Sequence, residues 1–226
     1  MGDAAYQWDF QVIWDYRDVF ARAIGLTLSL AALTILFGMV LGLVLSLLRM
    51  SPLKVVRWPA TAWVELLRAV PPLVLVVWIY YCLPILLGLS MPAFQTAVLA
   101  LSLYSSAFFA EIFRAGLQSI DRGLVEAASS VGMTRSQALR RVVLPLASQR
   151  MLPPLVSQCV LVVKNTALAG YIAVADILYQ GQQISVQTFR PLEVLTTVAV
   201  IFLVLIVPMT MGANVIESHI RRKYYR

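Results

Sequence analysis

The sequence is short of most of what a soluble enzyme uses. Of its 226 residues only 13% are charged, one is histidine and two are cysteine, against 60% that are hydrophobic. Soluble domains run at about 25% charged and about 45–50% apolar. A chain this short cannot bury so much apolar surface in a core of its own, so lipid must be the solvent for part of it. The length permits one membrane domain and no appended soluble domain. Cys82 and Cys159 fall in apolar stretches, without metal-ligand spacing or a secreted disulfide framework, and read as packing residues. His219 stands in a basic tail with Arg221, Arg222 and Lys223. Without a second histidine or a carboxylate cluster around it, neither a catalytic triad nor a metal site is expected. The phosphate loop G-x-x-x-x-G-K-S/T is also missing, so this chain should not hydrolyse ATP itself. Nor does it open like a cleavable signal peptide. Asp3, Asp9, Asp15 and Asp18 outnumber Arg17 and Arg22 there, and the apolar run that follows exceeds an h-region of about 7–15 residues.

What the chain does have is long apolar runs. A helix needs about 20 apolar residues to cross a membrane, and Ala23 to Leu48 contains no charge at all. Ala69 to Ala110 is too long for one span and is divided by Pro84, Gly88 and Pro92. The pattern predicts an all-α polytopic membrane protein with about five spans, near 23–48, 61–83, 92–114, 151–172 and 194–216. Residues 1–22 precede the membrane domain 23–216, and a basic tail, 217–226, follows it. With the N-terminus outside and the C-terminus inside, the inner segments 49–68, 111–150 and 217–226 carry 4, 6 and 4 basic residues, fourteen of the eighteen. Only Arg17, Arg22 and Arg190 fall outside, and Lys164 falls within a span. That distribution obeys the positive-inside rule and speaks against nucleic acid as the reason for the net charge of +7. The stretch Tyr6–Phe20, with Trp8, Trp14 and Tyr16, reads either as a helix lying in the outer interface or as a loose lead-in to the first span.

The inner segment 119–146 is the longest loop. Asp121 is placed to cap a helix whose Leu124, Ala128 and Val131 share one face. Gly132 stands where a helix commonly ends in a left-handed residue. Thr134 and Gln137 have capping-box spacing, restarting a helix that Pro145 is expected to end. Two short helices beneath the membrane result, offering Glu126, Arg135, Arg140 and Arg141 to a polar partner or to anionic lipid.

Glu126-Ala127-Ala128, then Gly132, Val142 and Leu144-Pro145 resemble the EAA loop of ABC-importer permeases, E-A-A-x3-G-x9-I-x-L-P, with valine in place of isoleucine. The resemblance extends from about Gly25 to Ile216 and is to the polar amino-acid uptake branch. Gly25-Leu-Thr-Leu-Ser-Leu opens the first span. Glu65-Leu-Leu-Arg68-Ala-Val-Pro71 is similar to E-x-x-R-G-T-P, and Ala110-Glu111-Ile-Phe-Arg114-Ala-Gly116 to A-E-x-x-R-G-G. Lys164-Asn165-Thr166-Ala167-Leu168 is similar to K-D-S/T-S-L. The resemblance implies a type I importer in the bacterial inner membrane. Two permease subunits, identical or similar, form the pathway over an ABC ATPase dimer, and an outside binding protein delivers substrate. ATP and Mg would be bound by the ATPase, and no cofactor is expected in this chain. The loop helices would couple ATPase closure to rocking of the spans. Glu126 would contact the ATPase, Ala127 and Ala128 would permit close approach, and Gly132 would make the turn.

Lys164 lies mid-span, where a lysine costs about 2.5–3.5 kcal/mol on insertion scales. It reads either as a substrate contact together with Asn165 and Thr166, or as a structural cation paired to a buried carboxylate such as Glu111. Asn165 replaces the aspartate of the related block. That leaves the field of Lys164 less neutralised and favours an acidic or neutral polar amino acid, glutamate or aspartate foremost. Arg68, Glu111 and Arg114 can line an inward vestibule or form a salt-bridge network between subunits. The competing function is a secondary transporter or channel subunit that runs without ATP, and a small membrane scaffold is a third; five spans without an inverted repeat count against the secondary transporter.

Overall fold

A computed structural model describes residues 6–88 and 90–224, excepting the side chains at 214, 216, 217 and beyond 218. The basic tail residues His219, Arg221, Arg222 and Lys223 thus lie outside the described side chains. The elements are α1 (Gln11–Asp15), α2 (Arg17–Arg49), α3 (Lys54–Ala69), α4 (Pro72–Leu87), α5 (Ala93–Gln118), α6 (Arg122–Ser130), α7 (Arg135–Ala138), α8 (Leu144–Asn165), α9 (Ile177–Thr188) and α10 (Pro191–Tyr224). A π-helical turn, Leu139–Val143, joins α7 to α8, and a 3-10 segment, Thr166–Ile172, prolongs α8. No strand occurs among the described residues.

Four stretches are long and apolar enough to cross a membrane: α2, α5, the 38-residue run Arg135–Ile172, and Pro191–Ala213 of α10. The pair α3 and α4 supplies a fifth only if taken together, because each is only 16 residues long, and the two are bent by 104° at the break between them. A single helix near 61–83 is therefore corrected to a broken one. The cause is Pro71-Pro72. A residue before proline is driven out of the helical region, and Val70 and Pro71 accordingly have ψ of 132° and 136°. Pro84 does not divide the chain as expected but lies inside α4, which ends at Gly88 in the left-handed conformation, φ +67°. The helix of the first span, α2, starts at Arg17, ahead of the apolar run.

The centre of the fold is the contact of α2 with α5. Lipid tails are as apolar as leucine, so close packing decides which helices associate, and small residues gather at the seam. Thr27, Ala31, Thr34, Gly38, Gly42 and Ser46 form the buried stripe of α2. A Cβ at Gly42 would come within 2.6 Å of Phe109 Cβ and 2.9 Å of the Ser106 carbonyl oxygen. Gly42→Ala should lower the melting temperature of the purified protein by the equivalent of about 1–3 kcal/mol. Gly25→Ala, with nothing within 4 Å, is the control. Equal melting of the two variants would mean that α2 and α5 do not meet this closely.

The N-terminal stretch is no loose lead-in: it is non-helical from Tyr6 to Asp9, forms the short helix Gln11–Asp15, and joins α2 from Arg17. Glu193, fully buried at the start of α10, accepts from the Tyr6 hydroxyl at 2.5 Å and the Asp9 N–H at 2.9 Å. Arg190 donates to the Gln7 carbonyl at 2.8 Å. The segment is thereby strapped to α10, with Trp8 stacked on Phe10 at 5.6 Å.

Candidate functional site

The 119–146 loop folds by the local rules its residues obey. Asp121 Oδ1 caps α6 by accepting from the Gly123 N–H at 2.8 Å. At the other end, the Gly132 N–H donates to Ser129 O and the Met133 N–H to Ala128 O, the paired bonds of a Schellman motif. Gly132 sits at φ +82°. Thr134 and Gln137 form both bonds of a capping box. Pro145, however, does not end a helix. It stands at the start of α8 directly after a π-helical turn, so its missing N–H falls where the hydrogen-bond register changes from π to α. The wider π-helical turn just before it carries the chain through, so α7 and α8 belong to one continuous helical run, Arg135–Ile172, from which the turn at Gly132 separates α6.

Glu126, Ala127, Arg135, Arg140 and Arg141 are exposed. Ala128 and Ala138 are buried against the chain itself, 6% and 2% exposed, so of the two alanines only Ala127 is open to a partner. Val142 is half-buried, and Leu144 and Pro145 are exposed. Arg150 bonds the Ser119 carbonyl, and Ile120 packs with Ala147 and Met151. Both contacts tie the start of the loop, just past the C-terminal end of α5, to α8. Gly116 permits this, since a Cβ there would run into Met151.

Arg68, Glu111 and Arg114 do come together, but within one chain and around a residue the motifs did not single out. Arg49, the last residue of α2, has a side chain only 7% exposed. It donates to Glu111 Oε2 at 2.8 Å from α5 and to Glu65 Oε1 at 3.2 Å from α3. Arg114 pairs with Glu111 on its other side and reaches Gln118 Oε1 at 2.6 Å. Arg68 pairs with Glu65 at 3.4 Å and lies over the Phe108 ring. Two carboxylates at the edge of an apolar bundle require cationic partners. That requirement was the available signal for Arg49, which sequence position marked only as a topogenic base.

Lys164 stands apart from this network. It follows Met151 by about 20 Å along α8, is exposed, and has no partner among the described residues. Pairing with Glu111 is thus corrected: Glu111 is taken by Arg49 and Arg114. Asn165 is half-buried, and the buried Thr166 spends its hydroxyl hydrogen on Val163 O at 2.7 Å. The chain then passes through the 3-10 segment and a left-handed Ala173 (φ 60°) to Asp176. Asp176 is fully buried and caps α9 through the Tyr179 N–H at 2.8 Å, while its Oδ2 has no hydrogen-bond partner. The next N–H, of Ile177, donates to Thr27 of α2 at 3.3 Å. Nothing in the spacing of the sequence marked Asp176, because its burial arises from the fold of this turn against α2. No group of three or more metal-ligating side chains occurs among the described residues.

Known proteins share this arrangement. Residues 34–222 match the family described as the inner membrane component of binding-protein-dependent transport systems. The probable glutamine ABC transporter permease of Bacillus subtilis is 35% identical over 94% of this chain and 98% of its own length. The glutamine transport system permease of Escherichia coli strain K12 is 33% identical over 95% and 99%. Among solved structures, an amino acid ABC transporter with histidines superposes with a TM-score of 0.88 at 33% identity, over 95% of this chain and all of that one. The methionine ABC transporter in an inward-facing conformation shares the fold, with a TM-score of 0.76 at 22% identity over 91% and 98%. The match covers most of the chain and both ends of the helical bundle: the protein belongs to the family of inner membrane components of binding-protein-dependent transport systems.

Proposed function

We infer that the chain is a membrane subunit of an ATP-driven importer of polar amino acids, paired with a second permease above an ABC ATPase dimer. The N-terminus is outside, where a binding protein presents substrate, and the C-terminus is inside. One observation carries this reading: a capped helix that exposes Glu126 is linked, through a tight turn at a left-handed Gly132, to the run Arg135–Ile172 that is long and apolar enough to cross a membrane. Motion imposed on the loop by a partner is thereby passed to the helix that carries Lys164. Relatives named for glutamine support the amino-acid class. The exposed, unpaired Lys164 beside Asn165 supports an acidic or neutral side chain on the cargo over a cationic one.

The test is uptake by vesicles containing the permease, its ATPase and its binding protein. Labelled glutamine or glutamate should enter only with ATP present, competed by glutamate, aspartate and glutamine and not by arginine. Import that continues without the ATPase would favour secondary transport. Preferential import of arginine would overturn the assignment of Lys164.

A further inference from the structure

The second helix of the bent pair has an unclaimed surface. α4 rises only about 24 Å, less than the hydrocarbon core of about 30 Å, and α3 turns away from it by 104°. On the helical wheel α3 divides into three arcs. Ala60, Val64 and Leu67 are buried, the latter two packing with Ala107 and Ala110 of α5. Lys54, Arg57, Thr61, Glu65 and Arg68 make a polar arc. Val55, Trp58, Leu66 and Trp63 form an apolar arc that is 86%, 73%, 56% and 47% exposed.

Glu65 and Arg68 belong to the network around Arg49. Lys54 and Arg57, exposed and one turn apart, have no partner among the described residues. Arg57 and Trp58, with Thr61 and Ala62, line a small cleft. Beyond the apolar arc, in the crook between α3 and α4, runs a groove of about 500 Å³ walled by Trp63, Leu66, Val70, Val74 and Trp78. A helix with one charged arc, one exposed apolar arc and tryptophan between them has the form of an interfacial helix.

We propose that α3 lies in the inner leaflet and binds an anionic phospholipid, its phosphate on Lys54 and Arg57 and an acyl chain across Val55 into the groove against α4. Charge selects this occupant. Two unpaired cations beside a wholly apolar wall suit a molecule with an anionic head and hydrocarbon tails. Zwitterionic lipid would satisfy the wall and not the cations. The proposal rests on the orientation given above, with the α2–α3 turn inside.

The experiment uses the permease purified with its ATPase, exchanged into mixed micelles of phosphatidylglycerol and phosphatidylcholine, with retained lipid counted by native mass spectrometry. Two basic side chains at an anionic surface correspond to a preference of about thirtyfold for phosphatidylglycerol. That preference should fall with added salt and largely vanish in Lys54→Gln/Arg57→Gln. A photoreactive side chain at Val55 should label lipid. Equal retention of both lipids by the native protein, or no change in the double variant, overturns the proposal. So does labelling of a second permease chain at Val55, which would make this face a subunit contact. None of these readouts depends on uptake, so failure of the transport assignment would leave them interpretable.

Discussion

Gly132→Val should abolish coupled import while leaving the permease folded. Gly132 sits at φ +82°, with nothing within 4 Å of the position a Cβ would take. The penalty is therefore one of backbone and not of space. A β-branched residue held at positive φ is strained by about 2 kcal/mol, a factor of about thirty against the conformation that closes the Schellman motif. The turn between α6 and α7 would then open, and the exposed Glu126 would no longer be presented at a fixed angle. ATP-dependent uptake in vesicles should drop by tenfold or more, with ATP hydrolysis no longer stimulated by the loaded binding protein. Asparagine tolerates the left-handed region, so Gly132→Asn should keep most of the uptake. Equal loss in both variants would point to the glycine's size instead of its dihedral angles, and undamaged uptake in Gly132→Val would remove the turn from the mechanism.

Glu111→Ala should have the largest effect on stability. Arg49 is held by two carboxylates, and its Nε already lacks a partner. Removing Glu111 leaves a guanidinium that is 93% covered facing only Glu65, and it frees Arg114 as well. Breaking a buried pair from one side costs about 3–5 kcal/mol. Glu111 is itself 27% exposed, so the lower end of that range applies, about 3 kcal/mol. Thermal unfolding of the detergent-purified complex should show it. Adding Arg49→Met removes the stranded charge and should recover most of the loss. A double variant melting below Glu111→Ala would mean that Arg49 is stabilised by something other than these carboxylates.

Much of this protein is legible before folding is considered, and the limit is set by distance along the chain. Asp121, Gly132, Thr134 and Gln137 act on backbone groups two to four residues away, so their pattern predicts the loop geometry directly. Apolar runs locate helices for the same reason. Where the reading fails, the deciding partner is remote or the rule has a local exception. Pro145 is a helix breaker in general and is accommodated here next to a π-helical turn. Val70 is an ordinary apolar residue until Pro71 and Pro72 bend the chain after it. The Arg49–Glu111 pair joins residues 62 apart in sequence, and Glu193 is met by Tyr6 from 187 positions away. Lys164 was legible as an anomaly; its exposure was not, because no periodicity tells which way a mid-span residue faces in a bundle.

The unbroken run from Arg135 to Ile172 has a mechanical consequence. It packs on α5 at Met151, beside Gly116, and that contact stands near the middle of the run. About 24 Å of helix extends from there to Arg135 and about 22 Å to Thr166. Pivoted at such a fulcrum, the run is a lever with nearly equal arms. A displacement of about 3 Å at the loop would appear as roughly 3 Å of opposite travel at Lys164. Such a device neither amplifies the stroke nor multiplies the force; it reverses the direction of travel.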